Sequence, residues 1–225
     1  MKRITVLLAE DHVVVRQGFR KLLEMEDDLE VIAEAEDGRQ AVALVKKLRP
    51  TVVVMDVTMP LLNGLEAARQ ILQAVPSTRI IILSAHTDDA YVKDATESGA
   101  VGFLLKQASA HDLSEGIREV NKGNIFFGPF IKQHLMEGTR RSLARSRRPR
   151  PRNARLTSRE VEVLQLVAEG KVNKETAAEL RIGLKTVEKH REHLMVKLNI
   201  HETAGLTRYA IKAGIIESSV QVTII

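Results

Sequence analysis

The 225-residue sequence contains no cysteine and no tryptophan, and only 3% of its residues are aromatic. Without cysteine there is no disulfide framework, no cysteine-ligated zinc, no thiolate-held iron–sulfur cluster and no thiol nucleophile, and the chain fits a reducing compartment. Long apolar runs are missing as well. Met1-Lys2-Arg3 opens like an export signal, but the apolar stretch Ile4 to Ala9 is cut by Glu10 and Asp11 far short of a spanning length. No export or membrane segment is expected, and the cytoplasm is the expected location. Net charge is scarce too, at +5 from 34 Lys+Arg and 29 Asp+Glu, but the total is misleading. Residues 1–120 hold 14 basic and 19 acidic residues, and residues 121–225 hold 20 and 10. An acidic half precedes a basic one.

What is present is enough apolar material, 44% of residues, for packed cores. In the first half, short β-branched runs alternate with longer helical stretches, the pattern of a parallel sheet covered by helices on both faces. The expected strands are Ile4 to Leu8, Val31 to Ala35, Val52 to Met55, Arg79 to Leu83 and Val101 to Leu105. Between them, Val15-Phe19-Leu22-Leu23, Ala41-Leu44-Val45-Leu48, Leu65-Ala68-Ile71-Leu72 and Leu113-Ile117-Val120 have the spacing of one buried helical face. Tyr91 to Ser98 is a further, weaker helix. The apolar residues of Ile125 to Met136 suggest one more short helix.

Thr139 to Arg155 then changes composition abruptly. Eight arginines, Arg140, Arg141, Arg145, Arg147, Arg148, Arg150, Arg152 and Arg155, stand among serines and prolines with too little apolar surface to offset ordering entropy. This marks an exposed linker and a domain boundary. Helical periodicity returns without strand signals. Thr157 with Glu160 has capping-box spacing ahead of Val161, Leu164 and Val167. Asn173 is expected to cap a second helix through Leu180, a third runs from about Leu184 to Leu198, and a fourth from Ala204 to Ala213. No internal repeat is present.

In an open α/β sheet, ligands bind outside the carboxyl ends of the strands. Glu10 and Asp11 follow the first strand, Asp56 the third, Ser84 the fourth and Lys106 the fifth. Singly, the acidic pair reads as a helix cap or solvated turn, Ser84 as a cap, Lys106 as a surface lysine and Asp56 as the start of a loop. Their joint occurrence at one edge points instead to chemistry. Converging carboxylates repel unless a hard cation such as Mg²⁺ neutralises them. Asp56, alone on its strand end, is then the best nucleophile toward a phosphoryl group, with Lys106 and a hydroxyl to stabilise charged oxygens.

These residues resemble the receiver domain of bacterial two-component response regulators over Lys2 to about Lys122. The strings are Leu8-Ala9-Glu10-Asp11-His12, Met55-Asp56-Val57-Thr58-Met59-Pro60 with Asn63-Gly64, and Ser98-Gly99-Ala100 leading to Gly102-Phe103-Leu104-Leu105-Lys106. The resemblance implies that Asp56 takes a phosphoryl group from a partner histidine kinase. It also implies that Asp11 and Asp56 ligate Mg²⁺ directly, Glu10 acts through water, and Thr58 contributes its backbone carbonyl. Ser84 would bond the phosphoryl oxygen, Lys106 would pair with it, and Phe103 would rotate as the switch, although Phe103 also reads as plain core packing and lacks a tyrosine hydroxyl. Thr58 and His86 would flank the site. Gln107 stands where receivers commonly have proline.

In the basic half, Val187, Arg191, Leu194 and Leu198 fall on one side of the third helix and Lys185, Lys189, Glu192, His193 and Val196 on the other. A short helix, a tight turn and this longer helix have helix-turn-helix geometry. The strings Leu156-Thr157-Ser158-Arg159-Glu160-Val161-Glu162-Val163-Leu164, Ala168-Glu169-Gly170, Asn173-Lys174-Glu175 and Lys185-Thr186-Val187-Glu188-Lys189-His190-Arg191 with Lys197-Leu198 resemble the LuxR-type helix-turn-helix. Gly183 replaces the serine common at the recognition-helix cap. Together the two resemblances identify a NarL/FixJ-type response regulator. They imply Lys185, Lys189 and Glu192 facing bases, with Thr186, His190 and Arg191 nearer the DNA backbone.

The expected layout is therefore a five-stranded, doubly wound, flavodoxin-like receiver over 1–122, a linker over 123–154, an all-α four-helix DNA-binding domain over 155–216 and a tail over 217–225. The expected function is a transcription factor controlled by phosphorylation at Asp56, binding double-stranded promoter DNA as a homodimer through the fourth helix of the second domain. Two rivals are a Mg²⁺-dependent phosphohydrolase and a constitutive DNA-binding protein with a degenerate receiver. The first is disfavoured because Thr58 stands where such enzymes place a second aspartate, so no turnover enzyme is expected. The second is disfavoured by the intact Glu10, Asp11, Asp56, Ser84 and Lys106. The arginines of the linker read as a soluble tether with incidental attraction to DNA.

Overall fold

A computed structural model describes residues 3–85, 89–132 and 156–217. His86, residues 133–136 of the expected Ile125 to Met136 helix, the whole arginine-rich segment and the tail from 218 lie outside the described residues. The chain divides into two compact units, Met1–Pro151 and Arg152–Ile225. No described helix is long and apolar enough to cross a membrane.

The first unit runs β1 (Ile4–Ala9), α1 (Val13–Glu24), β2 (Leu29–Ala35), α2 (Gly38–Leu48), β3 (Val52–Asp56), α3 (Gly64–Ala74), β4 (Arg79–Ser84), α4 (Asp89–Glu97), β5 (Gly102–Leu105), α5 (Ala110–Asn121) and β6 (Phe126–Phe127). The sheet is parallel throughout, in the order β2-β1-β3-β4-β5-β6. Period-two alternation sorts its side chains onto two faces. Leu7, Val53, Met55, Ile80, Ile82 and Phe103 pack in one core with residues of α2, α3 and α4. Val6, Leu8, Val52, Val54, Ile81, Leu83 and Leu104 pack in the other with residues of α1 and α5. Burial on both faces explains why the central strands read as unbroken apolar runs. Leu22 and Leu48, expected on buried helical faces, are exposed in the last turns of their helices, while Leu23 and Val45 take the buried positions.

One element differs from expectation. The sequence suggests a short helix over Ile125 to Met136, yet Phe126 and Phe127 form a sixth strand level with Gly102 and Phe103. The reason lies in the backbone. Pro129 has no N–H and cannot sit within the second turn of a helix begun at Ile125, so it opens the helical residues 129–132 instead. The Phe126 N–H donates to Val101 O (2.9 Å) and the Gly128 N–H to Phe103 O (2.9 Å). Phe126 packs on Gly116, where an added Cβ would come within 2.9 Å of its ring.

The second unit holds α6 (Ser158–Ala168), α7 (Asn173–Leu180), α8 (Leu184–Leu198) and α9 (Thr203–Lys212) around Val163, Leu164, Leu166, Val167, Val187, Leu194, Leu206 and Ala210. The capping box at Thr157 is formed: the Glu160 N–H donates to Thr157 Oγ1 (3.3 Å) and the Thr157 N–H to Glu160 Oε2 (2.7 Å). Asn173 does not cap α7. It is the first helical residue, after Val172, whose N–H donates to Glu175 Oε2 (3.0 Å). The asparagine side chain is free to accept from Arg191 instead.

Glu160 also accepts from Lys197 Nζ at 2.7 Å, tying α6 to α8. Burial pushes its carboxyl up, but the bonds from Lys197 and Thr157 outweigh that and hold it below the usual carboxylate range. A depressed pKa stabilises the folded state. The contribution is complete above pH 4.5 and disappears as the pH falls through the lower folded value. Glu160→Ala should lower the stability of this unit by about 1–2 kcal/mol, through the lost reciprocal cap at Thr157 and the lost charge-assisted bond from Lys197. Hydrogen exchange across α6 and α8 in the full chain is expected to show the loss, with the difference from wild type shrinking as the pH falls below 4.5.

Candidate functional site

Parallel pairing sets the site. Ala9 is level with Met55, Asp56 with Leu83, and Ser84 with Leu105, so the residues ending these strands leave the sheet at one edge. The loops there are held from behind. The Glu10 N–H donates to Ala35 O (3.0 Å), the Val57 N–H to Leu83 O (3.2 Å) and the Lys106 N–H to Ser84 O (2.8 Å). Arg16 donates to the Glu10 carbonyl (2.5 Å) and to Glu34 Oε2 (3.1 Å). At Gly64, the start of α3 lies so near Asp56 that a Cβ would fall 1.8 Å from its carbonyl oxygen. Any side chain at 64 would displace the strand end that carries Asp56.

Glu10 and Asp56 are 2% and 1% exposed. Lys106 Nζ lies between them, 3.0 and 2.8 Å from the two Glu10 carboxylate oxygens and 3.0 Å from Asp56 Oδ2. Burial and the Glu10 charge push the Asp56 carboxyl up to about 7, against the pull of Lys106. For Lys106, burial opposes the ammonium, but Asp56 and Glu10 more than compensate and its pKa rises. The site therefore carries more negative charge than one ammonium neutralises.

The sequence singled out Glu10, Asp11, Asp56 and Lys106, and the structure brings them together. Ser84 is buried at the end of β4, Thr58 is partly buried two residues past Asp56, and Phe103, on β5 beside Ile82 of β4, is buried in the core shared with α2, α3 and α4. His12, next in the chain, joins them. His12 Nδ1 lies 3.0 Å from Glu10 Oε1 and 2.9 Å from Asp11 Oδ1, and these three residues offer ligand atoms within 4.8 Å of one another. Asp56 stands outside that trio, joined to it through Lys106. Asp11, then Glu10, raise the His12 pKa. The only signal in the sequence was adjacency to the acidic pair.

Glu10 Oε2, Asp11 Oδ1 and Asp56 Oδ2 are buried and make no hydrogen bond. The ammonium near the first and last is a charge contact without hydrogen-bond alignment. Several buried carboxylate oxygens left in this way fit a hard divalent cation.

In the second unit, α7, the turn 181–183 and α8 form a helix-turn-helix. Val187 and Leu194 are buried, while Lys185, Thr186, Glu188, Lys189, Glu192, His193 and Val196 are exposed. His190 and Arg191 are partly buried. Arg191 is occupied within the unit, donating to Asn173 Oδ1 (3.0 Å) and to Thr203 Oγ1 (2.6 Å). It ties α8 to the starts of α7 and α9. Gly183 caps α8 without a side-chain bond.

Residues 6–118 match the family described as response regulator receiver domain, and residues 154–210 the family described as bacterial regulatory proteins, luxR family. The transcriptional regulatory protein DegU of Brevibacillus brevis is 34% identical over 224 residues, covering 94% of each chain. The RcsB response regulator of Salmonella typhimurium superposes with a TM-score of 0.58 at 28% identity, over 93% of this chain and 98% of that one. A structure of RcsB in complex with DNA gives a TM-score of 0.57 at 27% identity, over 92% and 98%. With both halves matched in order and a relative spanning nearly its whole length, the chain belongs to the LuxR-family response regulators, a receiver domain followed by a LuxR-type DNA-binding domain.

Proposed function

We propose that this chain is a transcription factor whose receiver accepts a phosphoryl group at Asp56 from a partner histidine kinase, and that acceptance governs how a homodimer engages promoter DNA. The observation that carries the reading is the buried contact of Asp56 with Lys106, at an edge where Glu10 and Asp11 converge. The proposed layout is a receiver over 1–122, a linker over 123–154, a DNA-binding domain over 155–216 and a tail over 217–225, acting in the cytoplasm.

An Asp56 carboxylate oxygen attacks the phosphorus of a phosphohistidine. The P–O bond forms as the P–N bond breaks, and its electron pair leaves with the imidazole. Attack requires the ionised carboxylate, which Lys106 favours and burial opposes. Glu10, Asp11 and Asp56, with the Thr58 carbonyl, are the residues to hold Mg²⁺, which when bound neutralises charge gathered on the phosphoryl oxygens. Lys106 is placed to exchange its carboxylate contact for one with the phosphoryl group. Ser84 donates its hydroxyl to a phosphoryl oxygen, and Phe103 rotates from its buried position, remodelling the face of α4, β5 and α5. Thr58, standing where a phosphohydrolase would place its second aspartate, leaves this a self-modifying acceptor and not a turnover enzyme.

On the DNA side, Lys185, Lys189 and Glu192 meet base edges from the exposed face of α8, with Thr186 and His190 nearer the phosphates. Arg191 contributes by fixing the angle of α8 through its internal bonds. That RcsB, similar over most of the chain, has been solved in complex with DNA supports DNA binding by this chain, and α9 is the proposed subunit contact.

Treatment with a small phosphodonor and Mg²⁺ should strengthen a promoter mobility shift in the wild-type protein and leave Asp56→Asn unchanged. A strengthened shift that survives in Asp56→Asn rules out Asp56 as the acceptor. Lys189→Ala should cost about 1–3 kcal/mol on the preferred site and flatten the preference among sequences. Arg191→Ala should instead weaken binding to all DNA in parallel with looser amide protection at the starts of α7 and α9. Competition binding with scrambled duplexes separates the two outcomes.

A further inference from the structure

Resting on the reading of α8 as the helix that enters the DNA groove, we infer that Glu188 determines sequence specificity: with Glu192 it reads amino-bearing base edges, cytosine N4 or adenine N6, and excludes guanine and thymine. The first observation is an ordered set of charges. Lys185, Glu188, Lys189 and Glu192 are all exposed on α8. Lys185 with Lys189, and Glu188 with Glu192, stand four residues apart, so the helix carries a basic row beside an acidic row. Like charges at that spacing repel and weaken a helix.

The second is that the rows stay unpaired. Lys185 and Glu188, like Lys189 and Glu192, have an i, i+3 spacing that closes elsewhere in this chain, at 2.9 Å between Arg159 and Glu162 and 2.7 Å between Lys122 and Glu119. None of the four side chains on α8 makes an ion pair or hydrogen bond among the described residues. The third is the flank on which Glu188 lies. It lines a depression with Asn173, Leu184 and Arg191, and the exposed Lys171 and Lys174 stand on the same depression. Cations there attract the DNA backbone, and a backbone drawn to them brings the edge of the groove against Glu188.

A carboxylate brought among phosphates is repelled unless a donor meets it, and an ionised glutamate can only accept hydrogen bonds. The major groove offers it two donors, the amino groups of cytosine and adenine, whereas guanine O6 and N7 and thymine O4 are acceptors. Residues four apart on a helix are separated by about 6 Å along its axis, close to two base steps of about 3.4 Å. The acidic row therefore reads amino groups about two base pairs apart. The basic row beside it supplies donors to guanine or to phosphates.

The test selects bound duplexes from a random library, using the full chain treated with a small phosphodonor and Mg²⁺. Wild-type protein should enrich a site in which one position of each half-site favours cytosine or adenine roughly tenfold or more, and the base enriched tells which amino group is read. Glu188→Ala should cut the preference at that position to less than about twofold, keep the other positions, and raise affinity for random duplexes about threefold by removing a like charge from the interface. Glu188→Gln, which gains a donor, should admit guanine and thymine there. An unaltered site in both variants, an equal loss at every position, or weaker binding of random duplexes by Glu188→Ala overturns the inference. Lys189→Ala separates the two levels of the reading. If it alters the selected site while the Glu188 variants do not, only the role of Glu188 is wrong; if neither alters it, or the wild type enriches no site, α8 does not read sequence and both readings fall.

Discussion

The contact on which the first unit depends is Lys106 between Glu10 and Asp56. Two carboxylates that are almost wholly buried repel each other and have lost most of their hydration, and removing a charged group from water costs several kcal/mol even after relaxation. One ammonium offsets part of that cost. The remainder shows in Asp56, whose carboxyl is pushed up to about 7 by burial and by Glu10. The arrangement is poor as a source of stability and well suited to reception. Any species bringing positive charge to the carboxylates, or a new anion for Lys106, relieves an imbalance the fold maintains.

Maintaining that imbalance requires the rest of the sheet. The three strands come from distant parts of the chain, and only their parallel register brings Glu10, Asp56 and Lys106 to the same level. Two dense cores, one on each face, keep the strands from sliding. Close backbone approaches finish the placement. Gly64 lets α3 begin against the Asp56 carbonyl, and Gly38 lets α2 approach the Leu62 carbonyl, where an added Cβ would lie at 2.0 Å. These glycines take no part in the chemistry, yet a methyl group at either would move the loops that frame it.

Much of this was legible because strand-end residues follow from periodicity alone. Once five apolar runs are accepted as parallel strands, Glu10, Asp11, Asp56, Ser84 and Lys106 must emerge at one edge. The capping box at Thr157 was equally local, set by residues three apart. What escaped was decided by tertiary partners. Phe126 and Phe127 read as helical by spacing, but Pro129 and the open edge of β5 made them a strand. Asn173 had the right chemistry for a cap, yet Arg191 claimed its side chain from eighteen residues away. His12 had no pattern around it, because a lone histidine acquires meaning only when its ring is seen to turn toward carboxylates rather than along its own helix.

Arg191 also sharpens the meaning of the charge asymmetry. The basic half does not present all its cations outward: Lys197 is bonded to Glu160, Arg159 to Glu162 and the Leu180 carbonyl, and Arg191 to Asn173 and Thr203. These cations hold helices together. Lys185 and Lys189, on the exposed face of α8, make no ion pair among the described residues. The helix therefore sorts its charges by face, with long side chains on its inner side engaged by neighbouring helices and those on its outer side left hydrated. Hydrated cations close to phosphates release counterions when they bind, which gives affinity without sequence preference. Preference must come from side chains whose direction is fixed, and the direction of Lys189 is only as fixed as the helix beneath it. The bonds of Arg191 thus bear on recognition although they point into the protein: they set the angle at which α8 presents its outer face.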